Sequence, residues 1–183
     1  MIELRNLSVK FGEKVIFDGF HLDLPDTGVV VLMGESGVGK TTLLRVLCGV
    51  LKPNAGTISG LEERRVSIAF QEPRLLEWQT ALENVASVSD MKIAKMLLAQ
   101  LSMEGELHAK AATLSGGQKQ RVSLARAFAY GNDVVLLDEP FTGLDDENKV
   151  RAAALIRSAR LAIVVTHDET DAILLNADKK ILL

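Results

Sequence analysis

A glycine-rich stretch at residues 34–42, "GESGVGKTT", combines the residue types that hold a phosphate group. It fits the pattern G-x-x-x-x-G-K-[ST] and lies between a strand-like and a helix-like run, which is the context the pattern requires. Its glycines let backbone N–H groups close around phosphate oxygens, Lys40 would reach the β- and γ-phosphates, and Thr41 would place its hydroxyl on Mg²⁺. The residues predicted to bind nucleotide are Gly34, Glu35, Ser36, Gly37, Val38, Gly39, Lys40, Thr41 and Thr42.

A second glycine turn, "LSGGQKQRVSLARA", occupies residues 114–127 and runs directly into a helix-like stretch. Such a turn typically holds an anion at a helix N-terminus. The same residues also fit an ordinary helix start with Ser115 as the N-cap, and the two interpretations are compatible. The chain therefore has a second potential anion site, although the loop at 34–42 already suffices to bind the phosphates of one nucleotide.

Two acids, Asp138 and Glu139, follow the apolar run "VVLL". A carboxylate at the end of a buried strand is costly unless it binds something. Asp138 fits a contact to Mg²⁺ through water, and Glu139 fits a general base that polarises the attacking water. The alternative is a pair of acids that cap a turn before Pro140, which the nearby phosphate loop disfavours.

Three further side chains are candidates for the same site. His167 ends another apolar run, where a γ-phosphate would sit, so a phosphate contact is favoured over a purely structural histidine. Gln71 follows the apolar "VSIAF", although a loop glutamine is usually only solvated. Phe11, in "VKFGEK", fits either a core residue or a ring that stacks on a purine.

The elements that must position these residues alternate between apolar runs and helix-like stretches. Continuous apolar runs predict buried strands at 28–34, 132–140 and 161–168. Helical spacing of apolar residues predicts helices over 40–52, 118–130 and 147–160. Buried strands that alternate with helices predict an α/β fold with a parallel sheet covered on both faces.

Two regions depart from that alternation. The N-terminal "IELRNLSVKF" and "KVIFDGFHLDL" alternate apolar and polar residues, which predicts antiparallel strands with one exposed face. The segment 77–113 has a helical pattern and lacks strand signals, so it is predicted to be a helical insertion on the α/β core.

Composition limits the classes of function. The 183 residues fit one domain, 48% are hydrophobic and 25% charged, and the net charge of −3 is spread without basic clusters, so no nucleic-acid partner is expected. The single cysteine, Cys48, excludes a disulfide framework and indicates a reducing compartment. The start, "MIELRNLSVKFGEK", lacks the features of a signal peptide, and no apolar run approaches the ~20 residues of a membrane span.

Together the motifs resemble those of the nucleotide-binding subunits of ABC transporters, in the family's order and over nearly the whole chain. The resemblance implies that Phe11 stacks on adenine and that residues 34–42 form the Walker A loop. It also implies that Gln71 is the Q-loop glutamine, which contacts Mg²⁺ and takes part in catalysis. An ATPase that uses ATP and Mg²⁺ is therefore expected.

The resemblance covers the remaining motifs as well. Residues 114–118 match the signature sequence, which is diagnostic of the family. Asp138 and Glu139 match the Walker B aspartate and the catalytic glutamate. Asp145 belongs to the D-loop, and His167 matches the switch histidine.

The family's assembly explains the second anion cradle. Two copies pack head to tail, and the signature of one copy covers the ATP held by the Walker A loop of the other. The resemblance therefore implies that Ser115, Gly116, Gly117 and Gln118 contact the partner's γ-phosphate, at the positive end of the following helix.

The same resemblance implies an architecture. It is a P-loop NTPase (RecA-like) core with a parallel sheet, an N-terminal antiparallel β subdomain and a small helical subdomain. We expect one nucleotide-binding domain over 1–183, with the helical subdomain inserted at about 77–125.

The segment 70–85, "FQEPRLLEWQTALENV", resembles importers of nitrate, sulfonates and taurine, in which QE-x-RLLPW occupies this place; Glu77 stands where they have proline. An importer implies a second copy of the chain or a homologous ATPase, membrane permease subunits and a solute-binding protein. It also implies a cytoplasmic location, on the inner face of the cell membrane through the permease. An exporter-type or lipoprotein-releasing ATPase would have the same motifs. A soluble ABC ATPase would add a coiled-coil insertion or a second cassette, and both are missing.

Leu75, Leu76 and Trp78 form an apolar group within this otherwise charged segment. They either cover the helical subdomain or form part of a groove for a cytoplasmic helix of the permease.

Overall fold

Two β-sheets organise the chain, and the structure, a computed structural model, describes residues 1–183. The strands, in chain order, are β1 (Ile2–Phe11), β2 (Lys14–Leu24), β3 (Gly28–Met33), β4 (Ala55–Ser59), β5 (Val66–Ala69), β6 (Val134–Asp138), β7 (Leu161–Val165) and β8 (Lys179–Leu182). The helices are α1 (Lys40–Leu47), α2 (Ala81–Ala86), α3 (Met91–Gln100), α4 (Gly116–Tyr130), α5 (Asp146–Ile156) and α6 (Glu169–Leu174). Two 3₁₀ turns lie at Glu104–Glu106 and Ala111–Thr113.

The larger sheet has five strands in the order β5-β6-β7-β3-β8, and every neighbouring pair is parallel. All five residues of β6 and of β7 are buried, as expected for strands covered on both faces. The predicted parallel α/β core is therefore confirmed. Because the strands are parallel, the carboxyl ends of β3, β6 and β7 lie at one edge of the sheet.

Successive side chains of the central strands point to opposite faces of the sheet, so the interior is divided into two apolar cores. In β3, Val29 and Val31 face one core, whereas Val30 and Leu32 face the other. The first core is filled mainly by α2 to α5, and the second by α1 and the N-terminal sheet. The sheet thus separates a helical side from a side that carries α1.

The smaller sheet is antiparallel, in the order β2-β1-β4; β1 alternates between buried and more exposed residues, whereas β2 buries only Phe17 and Leu24. The two N-terminal strands were predicted, but β4 and β8 were not, nor was β5 at the edge of the larger sheet. The sequence of β4, "AGTIS", contains no buried residue, and β8 begins with two exposed lysines. Short edge strands of this kind lack the apolar pattern that reveals a buried strand.

The segment 77–113 is helical, with α2, α3 and the two 3₁₀ turns. Side chains cap its helices: Thr80 and Glu83 form a capping box at α2, and Asp90 caps α3. The helix predicted to end at 52 ends at Leu47, because Gly49 takes a left-handed conformation just beyond it. The assignment of 77–125 to a separate subdomain stays a prediction, and α4 itself continues to Tyr130.

Candidate nucleotide-binding site

A cavity of about 500 Å³ opens at the carboxyl edge of the parallel sheet. It brings together segments far apart in the chain: the end of β1, the Walker A loop, Gln71, the end of β6 and the residues after β7. Of its 15 lining residues, only Lys14, Ile16 and Val165 were missed by the sequence analysis. Those it did identify are Phe11, Gly34, Ser36, Gly37, Gly39, Lys40, Thr41, Thr42, Gln71, Asp138, Glu139 and His167.

The glycine loop that precedes α1 is shaped to expose backbone N–H groups. Gly37 and Gly39 have φ values of +86° and +114°, which side-chain-bearing residues rarely adopt. A Cβ atom at Gly39 would also lie 2.7 Å from the Ile16 side chain. Gly39 is the N-cap of α1 and offers no side-chain cap, so the first N–H groups of α1 point toward the loop without a capping partner. This arrangement suits an anion.

The side chain of Lys40 folds back over the same loop, toward its first two residues. Its Nζ atom donates hydrogen bonds to the carbonyl oxygens of Gly34 at 2.8 Å and Glu35 at 2.9 Å. The positive charge is therefore held at the mouth of the cradle, beside the N-terminus of α1, where a phosphate oxygen would meet both.

A hydrogen bond from Thr41 to Asp138 joins α1 to the end of β6. The Thr41 Oγ1 atom donates to Oδ2 of Asp138 at 2.7 Å. Burial raises the pKa of the Asp138 carboxyl group, and the Thr41 hydrogen bond, with the charges of Arg45 and Lys40, opposes that rise. One hydroxyl and one desolvated carboxylate are a donor set that fits Mg²⁺, which uses few protein ligands and takes the rest from phosphate and water.

Glu139 and His167 are in direct contact. Oε1 of Glu139 lies 2.9 Å from Nδ1 of His167, with the carboxylate nearly buried and the imidazole exposed. The Glu139 hydrogen bond and its negative charge raise the pKa of His167. Glu139 also has a φ of +49°, which is uncommon for a residue other than glycine and recurs at functional sites.

Phe11 and Gln71 both line the cavity. Phe11 is 49% exposed, so it is not a core residue, and its exposed ring is free for stacking. Gln71 is exposed and lies two residues after the end of β5. Lys14, which sequence analysis missed, pairs with Phe11 across the β1–β2 hairpin. Both strands of the hairpin were predicted, but not the register that places Lys14 opposite Phe11.

The signature residues lie outside this cavity. Ser115 and Gln118 form a capping box at the start of α4, with hydrogen bonds of 3.3 and 2.9 Å, so the N-cap interpretation of Ser115 is correct. A Cβ atom at Gly117 would lie 2.5 Å from the carbonyl oxygen of Gly143, so only glycine fits there. Asp145 caps α5 and accepts from Asn148. The chain therefore holds these residues outside the cavity that contains its own Walker A loop.

The comparisons with known proteins agree with this geometry. Residues 17–142 match the ABC transporter family, and the chain belongs to that family. An aliphatic sulfonates import ATP-binding protein, SsuB 2 of Pseudomonas syringae pv. syringae (strain B728a), is 40% identical over 195 residues, covering 100% of this chain and 69% of that protein. SsuB 1 of Frankia alni is also 40% identical, over 100% of this chain and 70% of its own length.

Solved structures show the same fold. The dimeric post-hydrolysis structure of the ATP-binding cassette MJ0796, bound to ADP and Pi, has a TM-score of 0.88 and 27% identity, covering 100% of this chain and 94% of that one. A second dimeric structure of MJ0796, described as a bacterial ABC transporter cassette, has a TM-score of 0.86 and 28% identity, with the same coverage. The chain is thus an ABC ATPase with a P-loop fold that binds ATP. None of its helices has the length and apolar character needed to cross a membrane.

The contact between Glu139 and His167 makes a prediction that does not depend on activity. Glu139→Gln removes the negative charge, so the pKa of His167 should fall toward the ordinary histidine value. The measurement is an NMR titration of the imidazole C–H signals against pH, with His167→Ala used to assign the resonance. An unchanged His167 titration in the Glu139→Gln protein would mean that the two side chains do not meet in solution.

Proposed function

We propose that the chain powers an ABC importer, in which ATP hydrolysis drives solute through a separate membrane permease. The cavity carries this proposal, because it gathers the Walker A loop, the paired acids and the switch histidine around one space of about 500 Å³. The import direction is supported by relatives named as aliphatic sulfonates import ATP-binding proteins and by the segment 70–85. Sulfonates are accordingly the first substrate class to test.

In the proposed reaction, a water oxygen bonds to the γ-phosphorus of ATP while the bond from that phosphorus to the β,γ-bridging oxygen breaks. Glu139 accepts the proton that the water loses, and ADP and inorganic phosphate leave. Lys40 and the N–H groups of the loop stabilise charge on the phosphate oxygens. His167, held by Glu139, lies where it can contact the γ-phosphate.

Magnesium would be held by Thr41 and Asp138, with Gln71 at the edge of the same space. The ion supplies charge neutralisation for the phosphate oxygens when it is bound. The residues themselves fix where it sits, because the hydrogen bond between Thr41 and Asp138 already aligns the two oxygen ligands.

The active form would be a head-to-tail pair of copies. Ser115 and Gly116 are exposed at the N-terminus of α4 and take no part in the chain's own cavity. An exposed helix N-terminus can bind an anion, and in the proposed pair that anion is the γ-phosphate of the ATP held by the other copy. Each chain therefore contributes the Walker A half of one site and the signature half of the other, as the dimeric state of the MJ0796 structures supports.

The permease would dock next to the Q-loop. Trp78 is 72% exposed and Leu76 is 36% exposed, whereas Leu75 packs against the helical core. Coverage of the core therefore accounts for Leu75 and not for Trp78. Arg126, on α4, donates hydrogen bonds to the carbonyl oxygens of Pro73 and Arg74, which ties the docking segment to the signature helix.

An apolar groove of about 210 Å³ lies between β5 and α4. Val66, Ile68, Val88 and Tyr130 line it, so it could accept the apolar face of a short cytoplasmic helix. Attachment there would place the chain on the cytoplasmic face of the membrane, and a solute-binding protein would complete the import system.

The proposed base is tested by Glu139→Gln. The variant should still bind MgATP but lose most hydrolysis, because a positioned general base contributes ~10²–10⁴-fold. Steady-state phosphate release and calorimetric titration with ATP measure the two properties. Glu63→Gln, at an exposed acid between β4 and β5, is the matched control and should keep the wild-type rate. Wild-type phosphate release from Glu139→Gln would remove Glu139 from the role of base.

The docking proposal is tested by Trp78→Ala. The variant should keep its fold and basal ATPase activity while it fails to co-purify with the permease subunits of its transporter, since tryptophan is enriched among interface hot spots. Ile173→Ala removes an equally exposed apolar side chain from α6 and should leave assembly intact. Normal assembly and transport by Trp78→Ala would place the docking surface elsewhere.

A further inference from the structure

Gln120 is a buried polar residue in the second turn of α4, only 2% exposed. Its Nε2 atom donates toward the carbonyl oxygens of Pro140 at 3.3 Å and Glu139 at 3.5 Å. A buried amide is costly unless it is paired, so the amide is committed to these two carbonyl groups. Both belong to the turn that carries the proposed catalytic base.

That turn needs support because the backbone of Glu139 is left-handed, with φ at +49°. Conformations of this kind persist in residues other than glycine only when their surroundings over-determine them. On one side, the Glu139 N–H donates to the carbonyl oxygen of Val165 at 2.9 Å. On the other side, the Glu139 carbonyl accepts from the N–H of Thr142 at 3.2 Å and from Gln120.

We infer that Gln120 is a positioning residue, which holds the turn after β6 so that the Glu139 carboxylate stays beside His167 and faces the cavity. It acts through two carbonyl groups and touches neither nucleotide nor metal. Gln120 lies five residues after Ser115 on the same helix, so the helix that presents the signature also supports the base in its own chain. This inference rests on the proposed role of Glu139.

The test uses Gln120→Met, which keeps the length of the side chain and removes the N–H donors. The value of kcat should fall about tenfold, a part of the ~10²–10⁴-fold that a positioned base supplies, while KM for ATP stays within about twofold. Gln120→Asn keeps the amide but withdraws it by one methylene, so it should lower kcat as well. Ser123→Ala is the matched control, because Ser123 is a buried residue of the same helix whose hydroxyl has no hydrogen-bond partner. It should keep the wild-type kcat.

Two readouts separate positioning from a general structural role. The NMR titration of His167 in Gln120→Met should shift in the same direction as in Glu139→Gln, because a displaced carboxylate no longer faces the imidazole. In the Glu139→Gln background, Gln120→Met should cause no further loss of residual hydrolysis, and ATP-driven dimerisation should be unchanged, since the two residues act as one unit.

The outcomes are distinct. Wild-type kcat and an unmoved His167 titration in folded Gln120→Met and Gln120→Asn would overturn the inference while the role of Glu139 stands. A tenfold loss that persists in the Glu139→Gln background would also overturn it, because Gln120 would then act through another group. Wild-type hydrolysis by Glu139→Gln itself would instead refute the proposed base.

Discussion

The hydrogen bond between Thr41 and Asp138 is the constraint on which the site depends. Asp138 ends a strand buried on both faces, so its carboxyl group is desolvated and needs a donor and a nearby positive charge. Thr41 supplies the donor from the first turn of α1. In the sheet, β7 lies between β3 and β6. The start of α1, which follows β3, must therefore reach past β7 to make this contact with the end of β6. The second apolar core, against which α1 packs, holds it there.

Helix α4 connects the other parts of the site. It begins at the signature, contacts the turn after β6 through Gln120, and holds the Q-loop segment through Arg126. Arg121 donates to the carbonyl oxygens of Leu101 and Ser102 and to the side chain of Asn148, which in turn donates to the carboxylate of Asp145. A single helix therefore contacts the turn after β6, the Q-loop segment and the start of α5.

The residues of the site can be predicted from the sequence because each motif follows a segment that is recognisable as a buried strand. Phosphate loop, paired acids and histidine each follow a buried strand, and parallel strands bring those ends to one edge. The contacts of Gln120 and Arg126 are different, since both residues look like ordinary polar positions of a helix and acquire their partners only through tertiary packing. Lys14 reaches the cavity through the register of the β1–β2 hairpin, and β4 and β8 lack buried apolar residues. Those features require the three-dimensional structure.

The central claim is that each ATP is hydrolysed between two copies, and reciprocal mixed dimers test it most directly. A purified dimer of one Lys40→Ala chain and one Ser115→Arg chain retains one intact Walker A loop opposite one intact signature, so ATPase activity should return. The control is a dimer of one unmodified chain and one chain with both substitutions. It carries the same changes, but neither of its sites pairs an intact Walker A loop with an intact signature from the other chain, so it should be inactive. Activity in the second dimer and none in the first would contradict the account, because each site would then lie within a single chain.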